Sequence, residues 1–522
     1  MEPRMLKDLL AGLTYTVAES CSITEEALAE MEIPAVICDD RKLQEGCLFI
    51  CCRYTNFNGP ASLPEAVAAG AAVIVTERAI AQEAYAGVTA GETAGETSDP
   101  DSPVFIFVED ARYAMAFIYA AWYDHPADKL FTIAITGTKG KTTTSHMIYR
   151  MLNASGRKTG LLSTLEYIIG DEHIEALNAT PEAELLQSTL YRMVQAGLDS
   201  VVMEISTIGL QFHRSQGMIF DFGIFTNIGH DHIGPGGAAD FDHLIEYKGR
   251  LLKQCRTGLV NIDDPNIDRV LEGHTCALKT FGLSEKADYR ASGIVYGVTD
   301  GRPGVSFDVP CADLHVSVSM PGEFTVYNSL AAIGTALQLA VPKEAILCVL
   351  REFCLPGRFQ IITQKKDGAD SAPTVIVDFA HNPISLQAII TTLRQYFTGR
   401  IICLFGCGGG GSNEKRPEMG RITTELADYV IITNDNPRFE DPGSIVKDIV
   451  SGILEGRDNY SVIPDRREAV FAAVAMAGPG DVVLLAGKGP EKYQLIRGKE
   501  YHSDDCELAL EALSRVAETT ES

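Results

Sequence analysis

Nowhere in the 522 residues is there a run of about eighteen apolar residues, the length a membrane-spanning helix requires, and no membrane partner is expected. The opening segment, Met1 to Leu13, mixes acidic and basic residues and lacks the apolar stretch of a secretory signal, so a cytoplasmic location is expected. Basic residues are scarce beside acidic ones: 44 Lys and Arg face 70 Asp and Glu, a formal net charge of -26. Such a field repels a phosphate backbone, which argues against nucleic acid as a partner. An anionic ligand must instead meet small basic islands, which can act locally because screening over about 8 Å at physiological salt confines the global charge. Zinc-type spacing is also missing. The 13 cysteines are scattered, and neither Cys51-Cys52 nor Cys403 with Cys407 has it, so they read as reduced, mostly buried thiols.

What is present is ordinary globular material, 46% hydrophobic and 22% charged, too long for one compact core. The fold class expected is α/β in three domains, 1–128, 129–356 and 357–522. In the first, strand-like runs at Leu48 to Cys52, Ala72 to Val75 and Val104 to Val108 alternate with helical stretches at Leu63 to Ala69 and Ala111 to Trp122. The Gly/Thr/Glu/Pro-rich stretch 88–103 reads as an insertion or surface loop. From Leu130 to about Leu355, strands at Ile133 to Thr136, Ser200 to Glu204, Phe222 to Thr226 and Leu259 to Asn261 alternate with helices, the pattern of a doubly wound parallel sheet. Shorter alternating runs in Tyr289 to Met320 suggest antiparallel strands at one sheet edge. The third block, after Pro356-Gly357-Arg358-Phe359, repeats the pattern with strands Thr374 to Asp378, Ile401 to Phe405, Tyr429 to Thr433 and Val482 to Ala486, a Rossmann-like sheet.

The run Ala134-Ile135-Thr136-Gly137-Thr138-Lys139-Gly140-Lys141-Thr142-Thr143-Thr144 carries the most chemistry. An apolar strand feeds a glycine turn and then a helix, so backbone N–H groups and the helix dipole can face an anion. Lys141 adds a point charge and Thr142 offers a hydroxyl to Mg2+. A strict Walker A motif would need glycine at Ile135, but the turn still reads as a P-loop-type ATP site. Downstream, Met203-Glu204-Ile205-Ser206 ends a strand with a carboxylate where a Mg2+ ligand would stand. The next strand closes with Asn227-Ile228-Gly229-His230-Asp231-His232, and Lys248 follows in a helix. By themselves these histidines fit a hydrogen-bonded loop; a zinc site would need a further well-spaced ligand.

In that order AITGTKGKTTT, MEIS, FTNIGHDH and the lysine of EYKGRLL resemble the Mur ligases, ATP-dependent enzymes that add amino acids to UDP-N-acetylmuramoyl peptides. Similar segments extend over nearly the whole chain: CDDRKLQEGCLF, AVAAGAAVIVTE, NATPEAELLQ, VYNSLAA, LPGRFQ, VDFAHNP and GCGG with KRPEMG. NDNPRFEDP at 434–442 and AGKGPEKYQ at 486–494 resemble the MurE branch, which attaches the third residue of the stem peptide.

The resemblance implies a carboxylate activated by ATP as an acyl phosphate and then attacked by an amine. Two unit charges about 4 Å apart repel by about 4 kcal/mol at an effective dielectric of 20, so cations are needed between the reacting anions. By this resemblance Gly137, Thr138, Lys139, Gly140, Lys141, Thr142 and Thr143 hold ATP, joined by Asn328, Arg358, Asp378 and His381. Thr142, Glu204, His232 and Lys248 serve Mg2+, with Lys248 carbamylated because an ammonium cannot ligate a cation; Lys141, Lys248 and His232 are the catalytic group. Asp40, Asn178, Ala179, Thr180, Ser206 and Arg214 receive the UDP-muramoyl dipeptide. Arg416, Asp435, Asn436, Pro437, Arg438, Gly487 and Glu491 form the amino-acid pocket, and the arginine of Asp435-Asn436-Pro437-Arg438 favours meso-diaminopimelate over lysine, whose side chain has no carboxylate to pair with it.

The partners implied are small molecules, ATP, the nucleotide peptide and a diamino acid, and the protein is expected to act as a monomer. The family pattern is broken at Asp40, where serine is usual, at Pro60, at Ile208, in the loop Gly408 to Glu414 and at Pro490. Alternatives are a related ligase using lysine or another acceptor, a P-loop phosphotransferase or switch ATPase, and a nucleotide-binding scaffold without catalysis.

Overall fold

The computed structural model describes residues 1–18, 23–54, 57–85, 102–230, 233, 237–299, 302–362, 373–410 and 413–520. Most of the Gly/Thr-rich stretch expected to be a loop, and His232, lie outside them. Contacts divide the chain into two compact units, one from Met1 through Thr280 and one from Phe281 onward.

The first unit contains two sheets with separate cores. The smaller runs in the order Thr16–Val17, Val104–Phe107, Val73–Thr76, Leu48–Cys51, Val36–Ile37, parallel except for its first pair. Its central strands are apolar at every position but Thr76, because both faces are covered. Ile50, Val73, Val75 and Ile106 pack with the helix Ala111–Trp122, whereas Phe49, Cys51, Ile74 and Phe105 pack with Leu63, Ala66 and Ile80 on the other side.

The larger sheet is built around β1 (Phe131–Thr136), followed by α1 (Lys141–Ala154), β2 (Ser200–Glu204), β3 (Phe220–Phe225) and α2 (Phe241–Lys253). Its order in this unit is Glu172–Glu175, Glu166–Ile169, Thr159–Leu162, β2, β1, β3, Cys255–Asn261. The last five strands are mutually parallel and the first two extend the edge as an antiparallel meander. Since β1 lies between β2 and β3, the loops leaving the carboxyl ends of all three gather at one edge, where α/β sheets bind ligands.

In the second unit the elements that matter are α3 (Glu323–Gln338), β4 (Thr374–Asp378), α4 (Lys415–Leu426), β5 (Tyr429–Ile432), α5 (Arg466–Met476), β6 (Val482–Ala486) and α6 (Asp505–Thr520). The sheet order is Gln360–Ile362, β4, β6, Ile401–Phe405, β5, Tyr460–Val462, parallel apart from the first pair. One face is covered by helices that include α4, and the other by α5 and α6 through Val470, Ala473, Ala509 and Ala512.

One expectation is corrected. Most of Tyr289 to Met320 does not extend a sheet edge; Ser292–Thr299, Arg302–Val309 and Leu314–Val318 form a separate three-stranded antiparallel sheet. Alternation along these strands buries Val305, Phe307, Val309, Val316 and Val318, enough apolar surface for an independent layer. Only Tyr289–Arg290 pairs as an edge, with Phe281 and Gly282.

Candidate active site

The turn from β1 into α1 is braced from the end of β3. Thr138 N–H donates to the Asn227 carbonyl at 2.8 Å, Lys139 N–H to Asn227 Oδ1 at 2.9 Å, and Thr226 Oγ1 to the Lys139 carbonyl at 2.7 Å. Gly137, at φ 150°, leaves room for this brace: a Cβ there would lie 1.9 Å from Thr226 Oγ1. Gly140, at φ 87°, caps α1 without a side-chain acceptor, which suits a helix terminus that receives an anion. Lys141 Nζ curls over the turn, donating to the Gly137 carbonyl at 2.8 Å. Gly137→Ala should therefore displace the brace, lowering stability by about 1–3 kcal/mol and weakening ATP binding; thermal unfolding and an ATP titration check both.

The end of β2 lies beside this turn, because Glu204 is in register with Ile135 of β1. Glu204 is only 1% exposed, and its carboxylate is fixed by Thr164, whose N–H and hydroxyl each donate at 2.9 Å. Lys248, on α2, is also 1% exposed. Burying a charged ammonium is costly without a partner, so a lysine kept here signals a specific chemical task or partner. His230 stacks on Phe241, ring centroids 4.2 Å apart. Among the described residues no group of three or more His, Cys, Asp and Glu could hold a metal by itself.

Three residues expected to receive the nucleotide peptide, Thr180, Ser206 and Arg214, are brought together beside the Glu204 carbonyl. Thr180 Oγ1 donates to the Glu204 carbonyl at 2.9 Å, and the Ser206 N–H donates back to Thr180 Oγ1 at 2.8 Å. Arg214, buried, donates to the Thr180 carbonyl at 2.7 Å and pairs with Glu182. Asn178, exposed, accepts from Tyr167 OH through its carbonyl at 2.6 Å, and Ala179 links it to Thr180. Asp40 is elsewhere in the unit, accepting from Ser62 Oγ at 2.7 Å.

In the second unit Asp378, at the end of β4, accepts from the Phe359 N–H at 2.8 Å and so holds the turn that carries Arg358. The Arg358 guanidinium lies 4.6 Å from the centroid of the Phe379 ring. His381 Nδ1 is 2.7 Å from the Phe379 carbonyl, which assigns that nitrogen the proton in the neutral ring. Asn328 is buried on α3.

The loops leaving β5 and β6 meet. Asn436 donates to Glu491 Oε2 at 2.7 Å and accepts from the Leu495 N–H at 2.8 Å. Gly487, at φ 110°, leaves space for Asp435, since a Cβ would come within 2.8 Å of its Oδ2. Burial, with the Asp435 charge second, pushes the Glu491 carboxyl above its ordinary range. Pro437 passes the chain to Arg438, whose backbone is pinned to the antiparallel hairpin of Tyr493–Ile496 and Lys499–His502 by its N–H to the Leu495 carbonyl at 2.8 Å. The Arg438 side chain is exposed and makes no ion pair among the described residues.

Arg416 stands differently. It is 0% exposed, forked onto Glu440 at 2.6 and 2.8 Å and onto Asp448 at 2.9 Å. Its charge is committed to protein carboxylates, and the Arg416 hydrogen bonds hold the Glu440 carboxyl below its usual range. Sequence reasoning treated Arg416 and Arg438 alike because nothing local announces carboxylates 24 and 32 positions downstream. It also passed over Thr164, Thr226 and Lys488. Lys488, fully buried, donates to the Tyr493 carbonyl, and burial followed by the Arg466 charge lowers its pKa. The GKG glycines around it were the available signal.

Residues 135–336 match the Mur ligase middle domain and residues 357–489 the Mur ligase, glutamate ligase domain. Together with curated relatives that align over nearly its whole length, they show that the chain belongs to the Mur ligase family. It is 36% identical to the UDP-N-acetylmuramoyl-L-alanyl-D-glutamate--2,6-diaminopimelate ligase of Bacillus cereus, over 92% of this chain and 94% of that one. For the enzyme of the same name from Caldanaerobacter subterraneus subsp. tengcongensis the identity is 35%, over 98% and 99%. Among solved structures, a UDP-N-acetylmuramoyl-L-alanyl-D-glutamate--2,6-diaminopimelate ligase shares the fold with a TM-score of 0.64 at 24% identity, covering 98% of this chain and 99% of its own. The MurF ligase of Thermotoga maritima in complex with ADP shares it with a TM-score of 0.58 at 18% identity, covering 93% and 98%. No described helix is long and apolar enough to cross a membrane.

Proposed function

We propose that this chain is an ATP-dependent amide ligase that joins meso-diaminopimelate to UDP-N-acetylmuramoyl-L-alanyl-D-glutamate in peptidoglycan precursor synthesis, releasing ADP and phosphate. The reading rests most on one observation: Glu204 stands in register with the strand that launches the Gly137–Thr142 turn, so a fixed carboxylate and a phosphate-type cradle share one sheet edge. The names of the relatives supply the substrates. In this reading residues 1–128 receive the UDP end, 129–356 handle ATP, and 357–522 hold the amino acid, with the protein acting as a monomer in the cytoplasm.

The turn and the amino end of α1 receive the phosphates, and Lys141 lies between them as a point charge that screens the approach of the peptide carboxylate. Asn328, Arg358, Asp378 and His381, in the second unit, are assigned to the nucleotide by the resemblance alone. The oxygen donors of Thr142 and Glu204 suit a hard cation, and with His232 and a carbamylated Lys248 they would hold Mg2+, which neutralises charge between the two reacting anions. Carbamylation turns Lys248 into an anion with two oxygens. Thr180, Ser206 and Arg214 orient the peptide so that its terminal carboxylate faces the phosphates. Asp435, Asn436 and Glu491 hold the distal ammonium of the diamino acid and Arg438 its distal carboxylate. Arg416 acts on this pocket from behind by fixing Glu440, two residues past Arg438.

The test offers the enzyme ATP, Mg2+ and UDP-muramoyl-Ala-Glu with diaminopimelate, lysine or ornithine and records product mass. A single tripeptide product with diaminopimelate, and phosphate release that requires both acceptor and amine, is expected. Phosphate release indifferent to both would instead indicate a phosphotransferase or switch ATPase.

A further inference from the structure

The guanidinium of Arg466 is buried at the amino end of α5, in none of the segments assigned to a ligand above. Its Nε and one terminal nitrogen donate to Asp505 Oδ1 at 2.8 Å and Oδ2 at 2.6 Å, a bidentate pair in which both partners are sealed from solvent. The remaining donors reach two main-chain oxygens, the Asn434 carbonyl at 3.3 Å and the Ala486 carbonyl at 3.2 Å. These two oxygens are the informative contacts. Asn434 immediately precedes Asp435, and Ala486, the last residue of β6, immediately precedes Gly487. One planar cation therefore grips the two strand exits that carry the opposite walls of the amino-acid pocket. Asp505 begins α6, so the same group ties the last helix of the chain to both exits.

We propose that Arg466 and Asp505 are positioning residues for the diamino acid, setting the separation between the Asp435–Arg438 loop and the Gly487–Glu491 loop without touching the ligand. This rests on the assignment of those loops to the amino-acid pocket. A structural salt bridge alone does not require the fork to be shared with these two carbonyls. Replacing such a pair by apolar residues is often neutral for stability, whereas a displacement of about 1 Å in a reacting group can cost about 100-fold. Lysine at 466 would keep the charge and lose the planar fork, so it could not serve Asp505 and both carbonyls together.

The full-length enzyme is assayed as wild type, Arg466→Lys, Asp505→Asn and the doubly neutral Arg466→Gln/Asp505→Asn, with Arg438→Ala alongside. KM is measured separately for ATP, the nucleotide peptide and diaminopimelate. The expected result is a rise of about 10- to 100-fold in the diaminopimelate KM for Arg466→Lys and Asp505→Asn, with the other two KM values within about twofold. The doubly neutral variant restores stability more than it restores this KM. Parallel rises in all three values, including those of a variant too unstable to bind ATP, would reduce the pair to a fold-stabilising contact and overturn the proposal, as would an unchanged diaminopimelate KM. If Arg438→Ala also leaves that KM untouched, the pocket assignment itself falls; if Arg438→Ala raises it and the Arg466 and Asp505 variants do not, only the positioning role falls.

Discussion

Replacing Lys248 with alanine is expected to lower kcat by about 10²- to 10³-fold, the loss typical when a preorganised charged group is removed from a reacting centre. The side chain is 1% exposed, and a lysine chosen only to cover apolar surface would extend its ammonium to water rather than bury it. In the proposed enzyme the reacting form is a carbamate, a carboxylate carbon bonded to the amine nitrogen and carrying the two oxygens. Alanine would leave a gap of the right size for a small carboxylate, and millimolar formate or acetate should restore part of the lost turnover. Lys248→Arg should be as inactive as alanine and resist rescue, since a guanidinium neither accepts carbon dioxide nor leaves room for an added acid. The measurement is steady-state phosphate release with and without the acids. Full activity in Lys248→Arg, or a loss that no carboxylate relieves in alanine, would contradict the anionic form of this residue.

The second large effect is expected at Arg438. Its backbone is held by Leu495, and its side chain is exposed and unpaired by any protein carboxylate among the described residues, whereas Arg416 is saturated by Glu440 and Asp448. A pre-positioned cation without an internal partner is suited to an external anion. Arg438→Ala should raise the diaminopimelate KM by about 10- to 150-fold, the range set by a loss of about 1.5–3 kcal/mol for a hydrogen bond to a charged group, while the ATP KM changes little. Lysine, lacking the distal carboxylate, should gain relative to diaminopimelate in the variant. Competition between the two amino acids, read by product mass, gives the ratio directly. An equal rise in both KM values would remove Arg438 from specificity.

How much of this was readable in the chain depended on how local the cause was. The turn Gly137–Thr142 and the strand ends at Glu204 and Asp378 are each produced by adjacent residues, an apolar run broken by glycine or a carboxylate, so periodicity located them, whereas the Asp435–Arg438 loop was placed in a pocket by the resemblance alone. The three strands within 292–318 were misplaced because alternation reveals that a strand has two different faces, not which sheet it joins. The distinction between Arg416 and Arg438 was hidden for a similar reason. Both are arginines beside a proline, and only folding brings Glu440 and Asp448 onto one of them. The Arg466–Asp505 clamp, whose members lie 39 positions apart, left no mark on any short motif. His232 lies outside the described residues, and its part in the site stays with the resemblance that suggested it.

Glu204 faces two ways. Its carboxylate is steadied by Thr164, and its carbonyl oxygen receives Thr180, which also contacts Ser206 and Arg214. In the proposed enzyme this single residue is thus a party wall between energy supply and acceptor, so substitutions that reshape the acceptor rim of the first unit are expected to disturb ATP handling as well. Directed evolution toward new nucleotide peptides should therefore succeed only through changes that keep the Thr164–Glu204–Thr180 contacts.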